Sequence, residues 1–126
     1  MRKVLLSLQL LSASCFSLAG EANVLSAEVE NVGGDFYRFN VTVQHNDEDW
    51  HHYAKAWEVL SADGKLLGAR VLQHPHINEQ PFTRSLTVTI PEHINQVTIR
   101  AYDLMHKFGG KELILDINKE KLNDIN

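Results

Sequence analysis

Cysteine is nearly absent: Cys15 is the only one among 126 residues. That excludes an internal disulfide and any thiolate-rich metal cluster. Runs of lysine or arginine are also missing, and the formal net charge is −4. Without a basic patch, a nucleic-acid partner is disfavoured. Beyond the first twenty positions no stretch is long and apolar enough to cross a membrane. There is no internal repeat, no low-complexity segment, no zinc-finger spacing and no HExxH pattern. No Ser/His/Asp set or paired carboxylate stands out by spacing, so no catalytic residue is assigned.

What is present begins with an export signal. Arg2 and Lys3 precede a short apolar run containing Leu5, Leu6, Leu8, Leu10 and Leu11. Ser17-Leu18-Ala19 then gives a small-x-small pattern before Gly20. This order matches a secretory leader, and the run is too short for a bilayer span, which takes roughly 20 residues. Residues 1–19 are therefore expected to be removed, placing the mature chain in the periplasm. Three positions before Cys15 stands Ser12, where a lipoprotein signal has leucine or a similar residue. A soluble mature chain without cysteine is the expectation.

The remainder reads with a period of two. Expected strands cover 24–32, 36–45, 53–61, 66–72, 85–90, 97–103 and 111–117. Gly33-Gly34-Asp35 and Ala62-Asp63-Gly64-Lys65 are turn sequences between them. Pro75 and Pro81 forbid regular pairing through 73–83. The fold class is all-β: an immunoglobulin-like antiparallel β-sandwich of about seven strands over 20–117. Residues 118–126 form a polar tail, helical or disordered.

All seven histidines follow the leader, and five fall in two short stretches. His45, His51 and His52 lie in HNDEDWHH, and His74 and His76 in HPH. His106 follows Asp103 in the block DLMH. These segments sit at strand ends or loops, which a sandwich brings together. Imidazole suits Cu, Zn and Fe, so His45, His51, His52, His74, His76, His106 and Asp103 are the candidate ligands of one such ion. An i, i+2 pair on extended backbone points both rings one way, and Pro75 stiffens the HPH pair. Of the adjacent pair His51 and His52, only one can face inward on a strand; which one is open. Asp47, Asp49 and Glu79 are nearby acids able to bind or to orient imidazoles. Trp57 is expected in the inter-sheet core, Glu79 and Arg84 as an ion pair, and His93 in an ordinary turn.

Two resemblances accompany these residues. The blocks HHYAKAWEV, HPHINEQPFTRSL and RAYDLMHKFGG resemble a group of small exported bacterial proteins without an established activity. His45, His51, Trp57 and the DLMH block are similar in place and spacing to the iron domain of superoxide reductases, the desulfoferrodoxin and neelaredoxin family. That resemblance implies an immunoglobulin-like scaffold with His45, His51 or His52, and His106 as ligands. Asp103 stands where that family has its axial cysteine, Trp57 lies two positions late, and an early Glu-Lys-His segment has no counterpart. What it implies is a related metal scaffold without superoxide chemistry. Three functional readings follow: a periplasmic metal-binding protein for carriage, sensing or storage, a metal-free module for a periplasmic protein partner, or a metalloenzyme.

Overall fold

The computed structural model describes residues 20–117. The expected leader, with Cys15, and the polar tail lie outside the described residues. Seven strands follow one another: β1 (Asn23–Gly33), β2 (Phe36–Gln44), β3 (Ala54–Ser61), β4 (Leu66–Val71), β5 (Phe82–Thr89), β6 (Gln96–Asp103) and β7 (Leu113–Asp116). They form a three-stranded sheet in the order β1-β2-β5 and a four-stranded sheet in the order β4-β3-β6-β7. Every pairing is antiparallel. No helix occurs among the described residues. This is the immunoglobulin-like β-sandwich that the period-two pattern predicts.

Alternation along the strands builds the core. On β2, Tyr37, Phe39, Val41 and Val43 point inward; on β6, Val97, Ile99 and Ala101 do the same. They meet Trp57 and Val59 of β3 and Phe82 and Val88 of β5 in one apolar cluster, with Trp57 wholly buried at its centre. Large aromatic side chains of this kind contribute most of the area withdrawn from water.

The hairpins close as their turn residues require. Gly33 and Gly34 adopt positive φ between β1 and β2, and Gly64 does so between β3 and β4. A side chain at such φ is strained, which is why glycine stands there. Strand β5 begins at Phe82, three residues before the position expected from sequence. Pro81 lies just outside the ladder, so its missing N–H costs no pairing, and Phe82 pairs with Val43. Strand β7 is shorter than expected at Leu113–Asp116.

Antiparallel order sorts the connections. Hairpins β1–β2 and β3–β4 lie at one end of the sandwich. The start of β1, the β2–β3 loop, the β4–β5 loop and the end of β6 all lie at the other. That second end carries the histidine-rich segments.

Candidate metal centre

Strand parity delivers the first two residues of the site. His45 continues the inward set of β2 one step past Val43, and Asp103 continues that of β6 past Ala101. Both side chains are fully buried. His52 comes from the β2–β3 loop, where a small reversal sets its orientation. Glu48 N–H donates to the His52 carbonyl at 3.0 Å and His52 N–H to the Asp49 carbonyl at 3.2 Å. His51 N–H is taken by the Asp49 carboxylate at 2.8 Å, and the His51 side chain is 95% exposed. His52 turns inward and is buried.

One ligating atom from each of His45, His52 and Asp103 fits within a span of 4.8 Å. The two Nε2 atoms are 3.3 Å apart. Asp103 Oδ2 lies 3.7 Å from His45 Nε2, and Oδ1 3.6 Å from His52 Nε2. The Gly20 carbonyl oxygen lies 3.2 Å from both Nε2 atoms.

The rings are held from behind. His45 Nδ1 contacts the Asp47 carboxylate, and His52 Nδ1 contacts Glu48 Oε1 at 2.9 Å. A carboxylate only accepts, so each Nδ1 carries the proton, while the two Nε2 atoms face each other and the Gly20 carbonyl. Asp47 is itself fixed by N–H groups of Ala54, 3.1 Å from Oδ1, and His76, 2.6 Å from Oδ2. Gln80 ties the β4–β5 loop to the same place: it accepts His45 N–H at 3.0 Å and donates to the His76 carbonyl at 2.8 Å.

Asp103 divides its two oxygens. Oδ1 accepts N–H groups of Met105 at 2.8 Å and His106 at 2.6 Å, capping the turn after β6. Oδ2 is buried and has no hydrogen-bond partner among the described residues. The two Nε2 atoms thus have the Gly20 carbonyl oxygen and the Asp103 carboxylate as neighbours. His45, His52 and Asp103 form a group that could hold a metal ion.

Hydrogen bonding outweighs burial in the electrostatics of the site. Burial alone pushes the Asp47 carboxyl up, but hydrogen bonds from His45, His76 and Ala54 outweigh it and hold the group below the usual carboxylate range. For His52 burial works downward, yet the bond to Glu48, the Gly20 carbonyl and the charge of Asp103 raise it above the usual imidazole value.

The other candidates sit farther out. His106 packs its ring against His52 at 5.1 Å and directs Nδ1 to Asp103 Oδ1 at 3.2 Å, at the partly exposed mouth of the site. His76 is buried but stacks on Phe82 at 4.1 Å; its backbone N–H, not its ring, serves the site through Asp47. His74 is exposed, beside His76, with Nδ1 bonded to the Pro75 carbonyl. The HPH pair therefore differs in burial instead of offering two equivalent ligands. Glu79 pairs with Arg84 at 3.0 Å on the surface. His93 lies exposed in the β5–β6 turn.

Three contributors carry no sequence signal of their own: Gly20, Glu48 and Gln80. Gly20 has φ +86°, and a Cβ there would sit 2.7 Å from His106 Cε1. The segment reaches the site because Gly110 lets it in: a Cβ on Gly110 would lie 1.9 Å from the Ala22 carbonyl oxygen. Val24 N–H to Lys111 O at 2.9 Å and Lys111 N–H to Asn23 Oδ1 at 2.7 Å then clamp it. The Gly109-Gly110 pair is the one clue in the sequence to that approach.

Comparison with known proteins gives one informative relationship. The chain is 38% identical over 96 residues to a protein of Halomicrobium mukohataei described as a "Putative lipoprotein". The match covers 76% of this chain and 47% of that protein, so the chain spans about half the length of the curated relative. No family model and no solved structure matches the chain.

Proposed function

We propose that this protein is an exported metal-binding protein, holding one transition-metal ion through His45 Nε2, His52 Nε2 and Asp103 Oδ2. The observation that carries the reading is the buried Asp103 carboxylate, with Oδ2 unpartnered 3.7 Å from His45 Nε2 and Oδ1 3.6 Å from His52 Nε2, set against two imidazoles whose Nδ1 atoms each contact a carboxylate. Unsatisfied buried carboxylate oxygens are costly and rare. An ion bound there offsets that cost, and carboxylates behind the imidazoles raise ligand basicity. Two nitrogens and one carboxylate oxygen suit Zn, Cu or Fe, and the same donor set serves non-haem iron centres. Superoxide chemistry of the reductase kind is not part of the proposal, because Asp103 supplies oxygen in place of a thiolate. Export rests on the leader pattern and on the similarity to a protein described as a lipoprotein. Carriage, sensing or storage in the periplasm is the role that fits.

The test is elemental analysis of the untagged protein purified from periplasm, followed by thermal melts of the stripped protein with added Zn, Cu or Fe. Retained metal near one per chain, with a rise in melting temperature on reloading, is expected, since a ligand specific for the folded state stabilises it. No retained metal and no shift with any of the three would sink the reading.

A second reading, a module that holds a protein partner without metal, is favoured by Trp50, Ile77 and Met105. All three are exposed, at 62%, 56% and 62%, and they project from three loops at the site's end of the sandwich. Apolar tips gathered at one end suit docking. Affinity purification with and without chelator separates the readings: a specific partner that survives chelation supports the module, and loss of every such partner opposes it.

A further inference from the structure

The Gly20 carbonyl is a backbone oxygen set among the side chains of the site. It stands 3.2 Å from both Nε2 atoms, on a residue that cannot be anything but glycine without displacing His106. The same residue directly follows the small-x-small pattern Ser17-Leu18-Ala19 that ends the leader. We infer that Gly20 is the first residue of the mature chain and that its backbone completes the metal site, the carbonyl oxygen and the freed α-amine binding the ion as a chelate. This rests on the metal reading above.

The chemistry turns on one bond. Before processing, the Gly20 nitrogen is an amide with no available lone pair. Hydrolysis of the Ala19–Gly20 peptide, as a leader peptidase performs it, gives the carboxylate of Ala19 and the amine of Gly20, with water supplying the added oxygen and hydrogens. An α-amine has a pKa of about 7.7–8.0, so near neutral pH a metal displaces its proton at small cost. Amine and carbonyl of one residue close a small chelate ring on one ion. The clamp of Asn23 on Lys111 and the opening at Gly110 hold that residue in place beforehand, so little freedom is lost on binding. A chain still carrying its leader lacks the amine donor, and metal loading is thereby tied to export and processing.

Two measurements decide it. N-terminal sequencing of the exported protein is expected to begin at Gly20. Zinc, copper and iron affinities are then compared by competition titration for that protein, for a chain retaining Ala19, and for the Gly20 chain acetylated on its amine. Both blocked forms are expected to bind at least about tenfold more weakly, the scale on which metal-site supports act, with metal-free melting temperatures close to that of the mature chain. Processing at another bond, or equal affinities in all three forms, overturns the inference and leaves the side-chain site standing. Failure of all three forms to bind zinc, copper or iron overturns the metal reading, and this inference with it.

Discussion

The Nε2 atoms of His45 and His52 stand 3.3 Å apart. Two nitrogens each about 2.0–2.1 Å from a tetrahedral zinc are separated by about that distance. The imidazoles thus hold the spacing of a chelating pair, and the carboxylates of Asp47 and Glu48 keep them there. Four consequences can be measured.

Asp103→Asn keeps the shape of the side chain and can still cap the turn through Oδ1. Its amide NH2 then takes the place of Oδ2, facing His45 Nε2 at 3.7 Å in the present arrangement. The expected result is an unchanged or raised metal-free melting temperature, with metal-induced stabilisation lost. Melts of both proteins with and without zinc check this; retention of the full zinc shift in the variant would count against Asp103 as a ligand.

Among the histidines the effects should divide by burial. His52→Ala is expected to weaken zinc binding at least about tenfold. His51→Ala and His74→Ala, both at exposed side chains, are expected to leave it within about twofold, as surface changes away from a site do. Calorimetric titration of the three variants decides. Comparable losses in all three would mean that the loops rearrange around the metal.

Asp47→Ala removes the acceptor for His45, His76 and Ala54 at once. Leaving buried donors unpaired costs about 1–3 kcal/mol each, so a destabilisation of about 3 kcal/mol or more is expected in urea denaturation with chelator present. A change below about 1 kcal/mol would show that Asp47 is not the hub of the loops.

The pH dependence follows from His76. Burial, with the charges of Arg84 and His74, holds its pKa below the usual imidazole value. The unfolded chain then binds a proton more readily than the folded one, so this residue's contribution is full above about pH 6.5 and falls as pH drops through that value toward the folded pKa. His76→Phe keeps the stack on Phe82 and removes the titration. Its stability between pH 7 and pH 5, measured metal-free by denaturant titration, is expected to decline less steeply than that of the parent. Equal slopes would remove His76 from the account.

Much of this site is visible in the sequence, and the part that is not has a physical cause. A period of two, carried one step past Val43 and Ala101, is enough to aim His45 and Asp103 inward. The core role of Trp57 follows from the same pattern. The choice between His51 and His52 depends on the reversal at residues 48–52, where Asp49 captures one N–H and redirects the ring that follows. Alternation says nothing about such a loop. Gly20 contributes a carbonyl, and a backbone atom leaves no mark on composition or spacing. Its place depends on two glycines about ninety positions away, whose lack of side chains is a clue only after the two segments are seen to touch.

His45 directly follows β2 of the three-stranded sheet, and Asp103 ends β6 of the four-stranded one. Antibody domains join the corresponding pair of strands with a disulfide across the core. An ion bound by His45 and Asp103 rivets the two sheets at their rim in the same sense, without cysteine. Unlike a covalent staple, this rivet can be withdrawn by a chelator or displaced by acid. The mechanical cohesion of the sandwich then becomes a readout of how much metal surrounds it.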